Sequence, residues 1–537
     1  MVEEKGMSIN CEEFEAAKEA AKELSKQGGK STNDTLSLDV HAISFLQESG
    51  LKETNAQPKY DYTYCEETQS YKLKTITAKI VKIRYNKEFH EEIPADTVCG
   101  VILDTTNFYA EQGGQVSDIG YFGQNGDEVF TVDDCQVKAG YVMHYGKSLN
   151  DLKVGDEVEL MPENGYRYAV MNNHTSTHVL NHALREALGK PADQKGSLVA
   201  VDRLRFDFVC SKALTIKQVT DTENISNQII NENQIVYDQL VSLETALKIT
   251  GIRAMFGETY PDPVRVVSLG VPVDELLKDG TDEGLKKSVE LCGGTHLKST
   301  GHAKKLIVTS EEAIAKGIRR MICVTGDAAF KAQKTAAKIE TDFQVFKKET
   351  EEGLKTSDKI KTIQSSQKEI ANYTKTIDAA TIGYVKRDDL RKQVAALKKL
   401  VDNEDKKIKA EKQKNCIAQA EKISSELDKP YVVLRMDEAC GNGKVLSQVL
   451  KIFQKQAPDA AVMLISCDND NGRIAVSSQV PKSKVDKLKA NKWVGEIQTV
   501  IEGKGGGKEL NAMASGTNVK GADEAVELAE QFAKCLL

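Results

Sequence analysis

Along the 537 residues the spacing of apolar positions changes character repeatedly, and each change predicts a different kind of element. In residues 8–27, Phe14, Ala17 and Ala21 share one side of a helical repeat, with acids and lysines elsewhere. The polar residues 26–34, with Gly28-Gly29, predict a loop. After Pro58 the period falls to two: Ile76, Ala78 and Ile80 alternate, residues 101–103 form a short apolar run, and Gln124-Asn125-Gly126-Asp127 predicts a hairpin turn before a strand at 129–132. Lys153-Val154-Gly155-Asp156 leads into one more strand. Residues 75–160 therefore predict a small β-barrel or sandwich.

Helical spacing returns at residues 168–188, and mixed α/β patterning continues to about residue 325, with Arg203-Leu204-Arg205-Phe206-Asp207-Phe208 alternating as a strand does. Residues 327–378 and 388–427 are long, Lys/Glu-rich and separated by Ala380-Thr381-Ile382-Gly383. Ile339, Phe343 and Phe346 in the first stretch, and Leu390, Val394, Leu397 and Val401 in the second, recur at four-three spacing. They predict a helical hairpin of coiled-coil type, a spacer or dimerisation arm. The last segment predicts strands at 431–434 and 461–466 and helices at 445–456 and 522–536, with Gly503-Lys504-Gly505-Gly506-Gly507-Lys508 between. The expected architecture is α+β and multidomain: a helical or linker segment over 1–70, a β-barrel over 71–165, a metal-bearing α/β domain over 166–325, the hairpin over 326–429 and a small α/β domain over 430–537.

Composition narrows the class. The chain is 40% hydrophobic and 28% charged with a formal net charge of −7, ordinary values that disfavour a generalised polyanion binder and require any nucleic-acid contact to be argued patch by patch. Its eleven cysteines are scattered singly, without the spacing of a disulfide scaffold. No run reaches membrane-span length, and Met1-Val2-Glu3-Glu4-Lys5 lacks signal-peptide character, so a cytoplasmic protein is the simplest reading.

Chemistry enters with two matched pairs. His174 and His178 stand four residues apart, one turn of a helix, and Cys292 and His296 repeat that spacing downstream. Five of the eight histidines lie in or beside these pairs. One thiolate and three imidazoles are the ligand types of Zn²⁺, better suited to it than to Mg²⁺ or Ca²⁺. The plainer alternative places His174, His178 and His182 on the solvated face of an amphipathic helix, and Gly293-Gly294 in an ordinary tight turn rather than a close approach to metal or substrate.

Phe108-Tyr109-Ala110-Glu111-Gln112-Gly113-Gly114-Gln115, the His174/His178 helix, Gln194-Lys195-Gly196-Ser197-Leu198-Val199, Cys292-Gly293-Gly294-Thr295-His296 and Gly505-Gly506-Gly507-Lys508 resemble, in order, the landmarks of alanyl-tRNA synthetases. Pro261-Asp262-Pro263-Val264-Arg265-Val266-Val267-Ser268 and Gly317-Ile318-Arg319-Arg320 are most similar to the eukaryotic cytosolic branch. The resemblance implies a zinc-dependent editing domain that hydrolyses tRNA(Ala) mischarged with serine or glycine, and a C-terminal domain that binds tRNA. It places Thr177 and Gln194 beside the pocket, where either could bond a serine hydroxyl, and gives Cys292 its part in the chemistry as a metal ligand rather than a nucleophile. Thr177 as a packing residue and Gln194 as a loop cap are the alternatives. His182 and His302 are expected to be supporting or structural residues. Gly113-Gly114 suggests backbone lying against an adjacent domain or the tRNA acceptor end, and Arg203 and Arg205 are phosphate contacts or surface charges. Lys482, Lys484, Lys487, Lys489, Lys492, Lys504 and Lys508, with Gly505, Gly506 and Gly507, form the expected tRNA-binding surface, against the alternative of a solvated lysine face. No stretch is read as the aminoacylation module, so ATP is not expected for this chain alone. A homodimer through the hairpin or C-terminal domain completes the expectation.

Overall fold

A computed structural model describes residues 33–189, 192–254, 260–278, 280–469 and 471–537. The helix predicted over 8–27 and most of the loop over 26–34 lie outside the described residues. The chain is a mixed α/β multidomain protein. Its described residues divide into two compact units: one runs to Thr341 and takes in Asp378–Leu390, and the other holds Asp342–Ile377 and Arg391–Leu537.

After a single helical turn at Asn33–Leu36, the first unit continues with α1 (Val40–Glu48), whose N-terminus is capped by the Asp39 carboxylate on the Ala42 amide, and a ribbon of β1 (Tyr62–Cys65) and β2 (Ser70–Leu73). Eight strands follow in one sheet: β3 (Ile76–Tyr85), β4 (Glu88–His90), β6 (Val98–Leu103), β7 (Gly120–Gln124), β8 (Asp127–Val132), β9 (Asp134–Lys138), β10 (Tyr141–Lys147) and β12 (Glu157–Pro162), with β5 (Glu92–Ile93) and β11 (Leu152–Lys153) paired at its side. The Gln124-Asn125-Gly126-Asp127 turn is where the pattern placed it. Asn125 and Gly126 both take positive φ, 53° and 90°, the geometry that Asn-Gly favours between strands. The sheet curls until β8 meets β10: the Asp133 amide donates to the Tyr145 carbonyl at 2.8 Å, and Phe130 bridges Ser148. Ile80, Val101, Phe108, Phe122, Phe130 and Leu160 fill its interior.

Next comes α2 (Asn164–Leu188), ended by Gly189 in the left-handed conformation at φ 59°. It packs Leu180 and Leu184 against Phe206, Phe208, Met321 and Cys323 of the sheet β13 (Gln194–Val199), β14 (Leu204–Val209), β19 (Ile318–Thr325) and β18 (Leu306–Ala315). Another face meets α3 (Ile216–Asn231) and the sheet of β15 (Val236–Val241), β16 (Val264–Leu269) and β17 (Val289–Leu291), through Val179, Ile229 and Val267. Every residue from 170 to 184 is consequently buried, including nine polar side chains. A helix buried all round has no solvated face, so the amphipathic-surface reading of its histidines does not hold.

The helical region departs from a two-arm hairpin. The first stretch is two helices, α4 (Gly326–Gly353) and α5 (Lys359–Ala379), and the second is α6 (Tyr384–Ser425). Residues 354–358 break the first stretch, and Phe343 and Phe346 of α4 fold back onto Tyr373 of α5, with ring centroids 5.4 and 5.3 Å apart. Buried Ile363, Ile370 and Ile377 continue a seven-residue repeat on α5.

In the second unit the sheet order is β20 (Tyr431–Arg435), β21 (Ala461–Asp468), β22 (Arg473–Gln479), β24 (Asn511–Gly516), β23 (Gly503–Gly507), antiparallel except for β20–β21. Met463 and Ile465 of β21 face a core with α8 (Ala490–Ile497) and α9 (Ala522–Leu536), while Val462 and Leu464 face α7 (Gly443–Gln456) and the end of α6. Burial on both faces accounts for the unbroken apolar run of that strand. The glycine segment, read from sequence only as a stretch between elements, is the edge strand β23.

Candidate functional site

α2 projects His174 and His178 from successive turns, and β17 ends one residue before Cys292, which starts the loop to His296. One ligand atom from each of the four residues falls within 4.8 Å of all the others. Cys292 Sγ lies 3.3 Å from His174 Nε2 and 3.3 Å from His296 Nε2.

Each imidazole is held from behind. Gln115 donates its Nε2 to Thr295 Oγ1 at 2.9 Å and accepts the Thr295 amide on Oε1 at 3.0 Å, which fixes its amide orientation. That same Oε1, 2.6 Å from His174 Nδ1, can then only accept, so Nδ1 carries the proton and Nε2 presents a lone pair to the cluster. Glu290 Oε2 stands 3.7 Å from His178 Nε2, and the carboxylate is fixed by Asn181, Ser288 and Arg253. His178 Nδ1 is buried and has no hydrogen-bond partner. Thr175 Oγ1 lies 3.2 Å from His296 Nδ1. A buried, unpartnered imidazole nitrogen is costly in a bare protein and satisfied by a cation. Three imidazoles and a thiol, with the His174 lone pair oriented by Gln115, are a donor set that fits a metal ion.

The Cys292 and His296 shifts agree with that use, while His178 is held toward its protonated form by Glu290. Burial alone would raise the Cys292 thiol, but His174, His296 and His178 override it and hold it well below its ordinary value. Burial would lower His178, yet the Glu290 carboxylate raises it; His296 is driven well down by burial and by His174.

Gly294 passes so close to His174 that a Cβ there would overlap the imidazole, whereas a Cβ on Gly293 would meet open space. The close-approach reading therefore holds for Gly294 alone. Arg265, paired with Asp238 at 3.0 Å, ties the loop down by donating to the carbonyls of Gly294 (2.8 Å) and Cys292 (3.2 Å). Tyr60 donates to the Gly293 carbonyl at 2.7 Å. His174, His178 and His296 are buried, Cys292 is half-buried and Gly293 exposed, so Cys292–Gly293 is the least enclosed side of the cluster.

Thr177 is buried, and its hydroxyl donates to the Asn173 carbonyl one turn back at 2.8 Å. Gln194 donates to Ser197 Oγ at 3.1 Å, and Ser197 packs on Gly114, where a Cβ would overlap it; the Gly113-Gly114 backbone thus lies against β13. His182 bonds Arg253 (3.1 Å) and Glu186 (3.2 Å), and His302 stacks on Tyr64 at 3.5 Å, both apart from the ligand set. Arg203 pairs with Asp202, and Arg205 lies 3.6 Å from Asp207. In the second unit Lys482, Lys487, Lys492, Lys504, Lys508 and Gly505, Gly506 and Gly507 are exposed. Lys484 instead donates to the carbonyls of Pro430 and Asp459, and Lys489 pairs with Glu509. Sequence reasoning assigned no role to Gln115, Thr175, Glu290, Arg265 or Tyr60. Gln115, Thr175, Glu290 and Arg265 lie in or beside the landmark motifs, which was the available signal, whereas Tyr60 lies beside none of them.

Three segments of the chain match models of aminoacyl-tRNA synthetase domains. Residues 1–164 match the model of class II (A) tRNA synthetases, residues 264–322 the second additional domain of threonyl and alanyl tRNA synthetases, and residues 428–534 the DHHA1 domain. The first match corrects the expectation that no stretch resembles the aminoacylation module. Its described part consists of α1, the ribbon and the curled sheet, whose alternation gives an architecture but no family label. The chain belongs to the alanyl-tRNA synthetase family. It is 43% identical to the cytoplasmic alanine–tRNA ligase of Bombyx mori over 546 residues, covering all of this chain and 56% of that protein, and 42% identical to that of Drosophila melanogaster over 543 residues, with the same coverage. The chain thus spans about half the length of these relatives. The C-Ala domain structure of Aquifex aeolicus alanyl-tRNA synthetase aligns with 19% of this chain and 86% of its own at 25% identity and a TM-score of 0.16.

Proposed function

We propose that the chain is an editing deacylase: it hydrolyses serine or glycine esters of tRNA(Ala), with Zn²⁺ held by His174, His178, Cys292 and His296. The observation that carries this reading is the convergence of four metal-type donor atoms within 4.8 Å, least enclosed at Cys292–Gly293. Zinc bound there supplies a Lewis acid for ester hydrolysis. The protein's own groups do the rest. Gln115, Glu290 and Thr175 orient the three rings, Arg265 and Tyr60 hold the Cys292–Gly294 backbone at the mouth, and the ester, already activated, needs chiefly to be positioned. Thr177 and Gln194 belong to this proposal as serine-hydroxyl contacts, Thr177 with an oxygen still able to accept and Gln194 through Ser197. A less enclosed side favours chemistry over a closed structural zinc, which would leave only a binding or dimerisation module.

The same proposal assigns a β-barrel to 71–165 after a linker, the editing domain to 166–325, a helical spacer to 326–429 and tRNA binding to 430–537, in a cytoplasmic protein that dimerises through the helices or the last domain. Among the described residues no helix is long and apolar enough to cross a membrane. The match to class II synthetases over 1–164 favours a second reading, in which the chain serves in ATP-dependent ligation of alanine to tRNA, its relatives being named alanine–tRNA ligases. Deacylation assays decide between them. The expected result is about one zinc per chain and much faster hydrolysis of seryl-tRNA(Ala) than of alanyl-tRNA(Ala), both lost in Cys292→Ala. Equal hydrolysis of the two esters removes the editing role, and alanyl-tRNA formation by this chain with ATP establishes the ligase reading.

A further inference from the structure

Beside the least enclosed edge of the cluster stands a lysine that the chemistry above does not use. Lys59 lies in a short helical turn, residues 57–60, with Pro58 in its first turn. Its Nζ is 5.1 Å from the centroid of the Tyr60 ring and 5.6 Å from that of Tyr109. The Tyr60 ring also carries Arg265, at 4.3 Å, and its hydroxyl bonds the Gly293 carbonyl, so one ring separates the ammonium from the mouth of the site. Two other cations surround Lys59, and both have carboxylates: Arg265 pairs with Asp238, and Arg167 with Asp118. No carboxylate among the described residues lies within ion-pair distance of Lys59. Burial, then Arg265 and Arg167, push its pKa down to about 8. A half-buried ammonium crowded by like charge is stabilised only when an anion joins it.

Substrate chemistry names that anion. A ribose acylated at its 2′ or 3′ oxygen is joined through its 5′ oxygen to a phosphodiester, so an ester delivered to the cluster brings a phosphate within a ribose's length of it. We propose that Lys59 is the anchor for the 3′-terminal phosphodiester of the acylated RNA, a binding residue that sets how far the chain end enters the site. Tyr60 and Tyr109 hold the ammonium in place by ring contacts, and the phosphate supplies the direct ion pair that Asp118, which acts on Lys59 only from a distance and is engaged by Arg167, does not. The inference rests on the deacylase reading for the identity of its ligand.

A minihelix RNA bearing serine at its 3′ end through a non-hydrolysable amide tests it, made with a natural 3′-terminal phosphodiester, with a neutral methylphosphonate at that linkage, or with the methylphosphonate at an internal linkage. For the wild-type chain the terminal methylphosphonate is expected to weaken binding by about tenfold, the scale of one charge-assisted contact. Lys59→Met should lose the same factor toward the natural RNA and become indifferent to the terminal methylphosphonate, with its salt slope reduced by about 0.7. Lys59→Arg should restore both, Lys59→Gln should repeat the Met result, and zinc content should be unchanged in all three. Absence of a penalty in the wild type, or equal penalties in wild type and Lys59→Met, overturns the proposal. A chain that shows this coupling yet does not hydrolyse seryl-tRNA(Ala) retains the phosphate anchor and refutes the deacylase reading instead.

Discussion

Gly294 and Gly293 are neighbours with opposite tolerances. Beside Gly294 the His174 ring and the Gln115 carbonyl oxygen fill the space a Cβ would take, while Gly293 faces outward and contributes only its carbonyl to Tyr60. Substituting Gly294 must therefore displace a ligand or the residue that orients it. Gly294→Ala is expected to weaken metal binding by about ten- to a hundredfold, the range for losing a ligand's support, with the fold retained. Gly293→Ala should hold metal as the wild type does. Competition against a graded chelator, read by elemental analysis, separates the two, and equal affinities would show that the loop relaxes freely around His174. The pair of glycines was visible in the sequence, but which of them the metal site requires was not, because that depends on a residue 120 positions away in the chain.

At the scale of elements, the curled sheet encloses His144 of β10. Its Nδ1 lies 3.1 Å from the Val101 carbonyl, which can only accept, so Nδ1 holds the proton and Nε2 accepts from the Thr106 hydroxyl at 2.8 Å. Burial, partly opposed by that carbonyl, lowers its pKa to about 4. The unfolded imidazole titrates near 6.5, so on acidification the unfolded chain takes the proton first. Stability of this sheet should be full above about pH 6.5 and fall progressively toward pH 4, by roughly 3 kcal/mol in total. Amide exchange over residues 76–162 measured at several pH values checks this, and His144→Gln should flatten the profile; a profile unaffected by the substitution would assign the acid loss to other groups. The strands themselves were legible, since half-buried strands alternate and the Asn-Gly turn carries its own backbone signal. The break after α4 was not read, although Gly353 and Thr356-Ser357-Asp358 are helix-stop and helix-start residues. Four-three spacing persists on both sides of a short turn, so it counts helices poorly.

For the whole molecule, the lysine face proposed for tRNA is smaller than the lysine count implies. Lys484 braces the Pro430 and Asp459 backbones and Lys489 is neutralised by Glu509, which leaves Lys482, Lys487, Lys492, Lys504 and Lys508 exposed. Replacing these five with glutamine is expected to weaken tRNA binding and flatten its salt dependence by roughly 0.7–0.9 per phosphate contact removed, whereas Lys484→Gln should leave the slope unchanged. Titrations at two salt concentrations test both, and an undiminished slope in the fivefold variant would rule out this face. The sequence by itself determined what local chemistry dictates: the period of the strands and helices, the turn at Asn125-Gly126, and the four residues of metal-ligand type in two matched pairs. Tertiary structure decided what depends on distant segments meeting. It buried the middle of α2 on every side, set Gln115, Glu290 and Thr175 against the histidines, left Cys292 and Gly293 as the least enclosed edge, and drew two of the lysines onto backbone and carboxylate partners. Those roles follow from position in three dimensions, since a glutamine, a glycine or a lysine carries no mark of what will fold against it.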